Sequence, residues 1–342
     1  MTRRVLAVVA LLLFFNITAS SQGIDSYLAL VREYAAGQGG DATARLSGWA
    51  PDRVAAAARV ARTTAGSRDL VAAAMLHTDL ANTIVDKPSN SSEFHIDMAR
   101  ALLGAASDQV GQRERVQAFT LRWFGFIIRM YTSCGLLQDA ARHSGLGLIA
   151  FPRAATLYVD RGVIQEARLR ISLMPDLRSG LPKDPLARER IESALKAPTS
   201  NYLLALGIDS HNAEARLRLG WVRVLLEDNR AKDDLLAAVK DARTDSVRYL
   251  AHLFLGGLAE RENHLADALR EYDSARAVGS GYQTPYVAMS RIEDALGHTD
   301  RARDLALIAV QLRKGDDDAW WDHRIGFDRD SLTWLREEAR KP

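Results

Sequence analysis

Small residues recur along this chain at a fixed spacing, and that spacing restricts the folds available to it. Ala268, Tyr272 and Ala275 lie at offsets of zero, four and seven, and Asn263 precedes them in a turn. Small or medium-sized residues occupy the same offsets in four further stretches: Ala99, Leu103, Ala106; Ala140, Ser144, Gly147; Ala231, Leu235, Ala238; and Ala302, Ala306, Ala309. On a helix these offsets share one stripe, where small side chains let a neighbouring helix approach closely.

The chain is predicted to be helical almost throughout. Apolar residues recur at spacings of three and four, and no stretch shows a convincing strand pattern. Gly37–Gly40 reads as a linker, Pro51 suits the first turn of a helix, and Gly66 separates two helices. The helices predicted in the first half of the chain cover residues 25–36, 51–64, 68–84, 93–108, 113–132, 137–149 and 153–172.

The period of thirty-four residues and the positions of the small side chains resemble the tetratricopeptide repeat (TPR). Residues 121–154 give the clearest match, through Phe124, Tyr131, Gly135, Ala140 and Pro152. Residues 249–282 and 283–316 also match the repeat, and Gly162 and Gly220 mark two further units. The unit with Gly162 departs from the pattern, because a proline-rich loop ending at Pro185 is inserted and Pro198 is expected to interrupt its second helix.

The resemblance implies an all-α fold, a right-handed solenoid of stacked antiparallel helix hairpins. One hairpin cannot bury its own apolar face, so each must pack on the next. We predict a degenerate helical region over residues 22–112 and a TPR array over residues 113–316. A C-terminal capping helix is predicted within residues 317–342, with Trp320 and Trp321 packed beneath it.

The N-terminus predicts export. Arg3 and Arg4 precede an apolar run that ends at Phe15 and is too short to span a bilayer, and small residues follow it. We therefore predict a secretory signal peptide over residues 1–21 and a periplasmic or secreted bacterial protein. The net charge of +2 falls to zero when the two arginines are removed, which gives no field to steer nucleic acid. The single Cys134 excludes an internal disulfide.

The resemblance implies a protein or peptide partner bound in a concave groove, with no cofactor, metal or catalysis. In TPR proteins the first helix of each unit lines that groove. The side chains expected there are Arg122, Arg129, Glu166, Trp221, Glu260, Arg291 and Asp294. A solvated helix face is the plainer interpretation of each charged residue, and packing against the adjacent repeat is the alternative for Trp221.

Two alternatives remain open at this stage. His77 and His95, with Asp79, Glu93 and Asp97 nearby, are metal-ligand types, and a metal-dependent enzyme follows if the two histidines converge. Structural histidines are the simpler interpretation, because no paired spacing of a zinc protease is present. The other alternative is a self-associating spacer of the cell envelope. No phosphate loop, basic stripe or linked nucleophile and base is apparent.

Overall fold

A computed structural model describes residues 23–84, 90–109, 111–170 and 181–312. Within these ranges every regular element is a helix and none is a strand. The contacts divide the chain after Leu136 into two compact units, which are described separately below. The prediction of an all-α fold built from helix hairpins is confirmed.

The described residues of the first unit form six helices. Helices α4 and α5 form a closely packed hairpin; α3 and α6 pack against α5, and α2 packs against α4. Side-chain contacts described below also join α1 and α6 to α4. The helices are α1 (residues 23–35), α2 (Gly39–Ser47), α3 (Pro51–Thr64), α4 (Ser67–Ile84), α5 (Asn90–Ser107) and α6 (Arg113–Ser133).

The second unit is a row of hairpins in which each packs on the next. The hairpins are α8–α9, α10–α11, α12–α13 and α14–α15, and the pairs α9–α10, α11–α12 and α13–α14 join them; α7 packs on α8. The helices are α7 (Leu137–Ala150), α8 (Ala155–Arg170), α9 (Pro185–Ile208), α10 (Ala213–Leu225), α11 (Ala231–Asp241), α12 (Asp245–Arg261), α13 (Leu265–Val278), α14 (Gln283–Ala295) and α15 (Thr299–Gln311).

The small-residue stripe lies at the helix contacts, as its spacing predicts. All fifteen residues at offsets zero, four and seven are buried. The turn between paired helices also repeats, because Gly297 has φ 80° and Asn263, thirty-four positions earlier, has φ 60°. This left-handed conformation favours glycine and, among the other residues, asparagine. The backbone conformation of the turn therefore explains why one repeat has asparagine where the next has glycine.

Two local expectations are wrong. The predicted linker Gly37–Gly40 is shorter than expected, because α2 begins at Gly39 and only Gly37 adopts a positive φ, of 93°. Pro198 does not interrupt its helix, since α9 runs unbroken from Pro185 to Ile208. Pro198 is buried beside Leu195 and Tyr202, and this packing outweighs the missing backbone donor.

Several predicted features lie outside the described residues. These are the signal peptide over residues 1–21, most of the proline-rich insertion, and the C-terminal helix with Trp320 and Trp321. Among the helices of the described ranges, none is both long enough and apolar enough to cross a bilayer.

Candidate functional site

Two of the predicted groove residues bind each other. Arg291 on α14 donates to both carboxylate oxygens of Glu260 on α12, with Nη2–Oε1 2.6 Å and Nη2–Oε2 2.7 Å. The hydroxyl of Tyr272 on α13 donates to the same carboxylate at 2.9 Å. The three side chains therefore join both helices of one hairpin to the first helix of the next.

A second link of the same chemistry involves another predicted groove residue. Glu166 on α8 is 3% exposed and accepts a hydrogen bond of 2.5 Å from the Tyr202 hydroxyl on α9. Arg218 on α10 approaches the other carboxylate oxygen at 3.4 Å. Burial and the neighbouring carboxylate raise the pKa of Tyr202 well above its usual value of 10, so its hydroxyl remains a donor.

Each of these tyrosine rings lies directly over a glycine. A Cβ atom at Gly256 would be 2.6 Å from the Tyr272 ring, and one at Gly162 would be 2.4 Å from the Tyr202 ring. In both hairpins the carboxylate follows four residues after the glycine, at Glu260 and Glu166, so it lies on the same helical face. The glycine admits the ring and the glutamate then holds its hydroxyl.

Trp221, the aromatic residue predicted in the groove, packs between repeats. Its indole is 2% exposed and stacks on Phe254 of α12, with ring centroids 4.6 Å apart. An indole so buried offers almost no surface to a partner, which matches the packing interpretation of this residue.

The hairpins, the buried small-residue stripe and the repeated ring-on-glycine contact together decide the architecture. The fold is that of tetratricopeptide repeats. No protein-family model matches the sequence, and comparison with curated proteins finds no match.

Solved structures resemble the TPR fold of this chain at low identity. PilF of Pseudomonas aeruginosa has TM-score 0.48 and 14% identity, covering 66% of this chain and 92% of that chain. A TPR protein of Thermus thermophilus has TM-score 0.42 and 19% identity, covering 66% and 99%. Yeast Tom70 has TM-score 0.46 and 9% identity, covering 84% and 59%.

Loss of the hydrogen bonds that Glu260 accepts from Arg291 and Tyr272 is expected to destabilise the fold. Glu260→Gln should lower the free energy of unfolding by about 2 kcal/mol, because the bidentate pair loses its charge while Arg291 stays mostly buried. Urea denaturation followed by circular dichroism measures the loss. Asp273→Asn is the matched control, since Asp273 pairs with Arg276 at the surface and should cost less than about 0.5 kcal/mol. Equal losses in both variants would contradict a structural role for the link.

The remaining predicted groove residues lie at or near the surface. Arg122 and Arg129 are exposed on α6, and Asp294 is half-buried on α14. Arg122 lines a pocket of substantial size in the first unit.

This pocket lies where α1, α4 and α6 meet, and we call it the aromatic pocket. It has a volume of about 380 Å³, and its apolar walls are Tyr34 of α1, Met75 of α4 and Phe119, Trp123 and Phe126 of α6. Phe126 is 41% exposed and Met75 40% exposed, although both are large apolar side chains. Such a concentration of exposed apolar surface around a cavity is typical of a binding site.

Polar contacts fix the shape of the aromatic pocket. The Trp123 indole nitrogen donates to Thr78 Oγ1 at 2.9 Å, which ties α6 to α4. The Tyr34 hydroxyl donates to the Asp79 carboxylate, which ties α1 to α4. The Trp123 indole and the Tyr34 hydroxyl thus have partners within the protein, and these contacts fix two of the rings around the cavity.

The sequence carries a signal for this pocket that lies outside the groove prediction, apart from Arg122. Phe119, Arg122, Trp123 and Phe126 stand at offsets zero, three, four and seven, which is one helical stripe. The same spacing is typical of a core face, so it predicts burial as readily as binding. Only the exposure of Phe126 separates the two interpretations.

The histidines proposed as metal ligands do converge, in the core beside the aromatic pocket. His77 on α4 is fully buried and His95 on α5 is 6% exposed. Their Nδ1 atoms are 2.8 Å apart, and His77 Nε2 is 2.9 Å from the Tyr27 hydroxyl. Burial, with a smaller contribution from His95, lowers the pKa of His77 to about 3, and burial also lowers the pKa of His95.

This histidine pair has the geometry of a hydrogen bond. Two nitrogens bound tetrahedrally to one zinc ion at about 2.0 Å stand about 3.3 Å apart, so the observed 2.8 Å leaves no space for the ion between them. Both ring nitrogens of His77 are engaged, and in the described ranges no group of three or more His, Cys, Asp or Glu residues is placed to hold a metal. The structural interpretation of the histidines is the one that the geometry supports.

Proposed function

We propose that this protein is an exported adaptor that binds a segment of another protein through the aromatic pocket of its first unit. The observation that carries the proposal is a preformed cavity with exposed Phe126 and Met75 on its walls. Burying those two side chains against a partner would remove apolar surface from water, which is the main source of binding free energy.

The second unit supports a division of roles within the chain. Glu166, Glu260 and Arg291 bind residues of adjacent hairpins, and Trp221 is stacked in the core. Charges committed to internal pairs have less to offer a ligand, because a partner would have to break those pairs first. We therefore assign the second unit a supporting role and place recognition on α1, α4 and α6.

Selection of displayed peptides on the full chain tests this function. We expect peptides that bind the parent protein and lose at least about tenfold in affinity for Phe126→Asp, because the substitution puts a charge on the apolar wall. Leu204→Asp is the matched control: Leu204 on α9 is 53% exposed and lies in the other unit, so binding should persist. Failure to select any peptide, or equal loss in both variants, would contradict the proposal.

Export is a separate part of the proposal and has its own test. The charged start, short apolar run and small residues before position 22 support removal of residues 1–21. The intact mass of protein isolated from the native cell envelope or medium should correspond to a chain without them. A mass that includes the apolar run would contradict cleavage.

A further inference from the structure

The size of the aromatic pocket limits what part of a partner it accepts. At about 380 Å³ it is at the lower end of the range of roughly 300–1,000 Å³ typical of ligand pockets. It has space for one or two side chains and not for a whole helix. The pocket therefore suits an anchoring side chain of an otherwise surface-bound segment.

The chemistry of the walls specifies an apolar anchor. Phe119, Phe126 and Tyr34 supply rings, and Met75 supplies a thioether that contacts aromatic groups favourably. The Trp123 N–H is occupied by Thr78, so this indole presents carbon surface to the cavity. An aromatic or long aliphatic side chain complements these walls, since the donors of the Trp123 indole and the Tyr34 hydroxyl are already engaged within the protein.

The two charged residues at the pocket differ in what they offer. Asp79 already accepts the hydrogen of the Tyr34 hydroxyl. Arg122 is exposed and, within the described part of the chain, has no ion pair or hydrogen bond. A guanidinium binds a carboxylate through two parallel hydrogen bonds, so Arg122, whose donors are free among the described residues while the Asp79 carboxylate is shared with Tyr34, favours an anion.

We propose that the aromatic pocket binds a peptide segment in which an aromatic or long aliphatic side chain stands beside a carboxylate, the first in the cavity and the second on Arg122. This inference rests on the proposed function and specifies its ligand. A peptide with a cationic residue beside the anchoring side chain would contact the aromatic faces and Asp79 but would be repelled by Arg122. Recognition by Arg122 therefore predicts tighter binding of the acidic peptide, and recognition by Asp79 and the rings predicts tighter binding of the basic one.

Three fluorescein-labelled peptides of otherwise identical Gly-Ser sequence test the inference, with central pairs Phe-Glu, Phe-Lys and Ala-Glu. Fluorescence anisotropy with the full chain at low salt should rank Phe-Glu about fivefold tighter than Phe-Lys. It should also rank Phe-Glu at least about tenfold tighter than Ala-Glu, because the ring is buried. Absence of measurable binding by Phe-Glu, or a tighter Phe-Lys peptide, overturns the inference.

Charge reversal gives the decisive comparison. Arg122→Glu should make Phe-Lys the tighter of the two phenylalanine peptides while keeping phenylalanine preferred over alanine. Arg115→Glu reverses an exposed charge on the same helix outside the pocket, and the parental order should persist. An order unchanged by Arg122→Glu overturns the inference. If selected peptides still depend on Phe126 in that case, the proposed function survives; if none do, both fail.

Discussion

Gly256→Leu is expected to lower the free energy of unfolding by about 3 kcal/mol, near the upper end of the usual cost of overpacking a core. A Cβ atom at position 256 would lie 2.6 Å from Cε1 and 2.7 Å from Cδ1 of Tyr272, well inside contact distance. The ring cannot move aside cheaply, since Tyr272 is fully buried and its hydroxyl donates to Glu260. The substitution therefore strains the α12–α13 crossing and the link to α14 together.

Gly207→Leu is the matched control for this substitution. Gly207 is also helical and in the same unit, but a Cβ atom there would have no neighbour within 4 Å. Leucine favours helix over glycine by roughly 0.8 kcal/mol, so the control should be neutral or slightly stabilising. Urea denaturation followed by circular dichroism measures both variants. A parental midpoint in Gly256→Leu would contradict the close contact of ring and glycine.

The sequence predicts this architecture well because close helix contacts require small residues at fixed intervals. Ala268, Ala275 and Ala302 are completely buried where the period places them. Such a contact excludes almost every larger side chain. The need for a close helix contact can therefore be recognised in the sequence from the small residue at that position. The errors at Gly39 and Pro198 are of the opposite kind, because there tertiary packing overrides a local preference.

The candidate site is less predictable, because periodicity indicates a face and not a partner. Glu260 and Arg291 do lie on first helices, but no spacing rule shows that they bind each other across thirty-one positions. Phe126 has the spacing of a core residue and is nevertheless 41% exposed. Whether an apolar residue is covered depends on how close the neighbouring helix lies. The spacing of residues along one sequence does not specify that distance between helices.

Acid is expected to destabilise the first unit through the buried histidine pair. The folded pKa of His77 is about 3, against 6.5 for an unperturbed histidine. Above pH 6.5 the ring is neutral in both states, so the stability is fully present. Between pH 6.5 and about 3 the unfolded chain binds a proton that the folded chain does not. Stability therefore falls as the pH falls, by about 1.4 kcal/mol per unit.

His77→Gln isolates this effect from other titrating groups. An amide donates and accepts hydrogen bonds as a neutral imidazole does, towards Tyr27 and His95, but takes up no proton. The free energy of unfolding, measured from pH 7.5 to 5, should fall less steeply in this variant than in the parent by about 1.4 kcal/mol per unit below pH 6.5. His211→Gln, at a side chain that is 75% exposed, is the matched control for removal of a histidine outside the core. Parallel profiles for the parent and His77→Gln would contradict a neutral, buried His77.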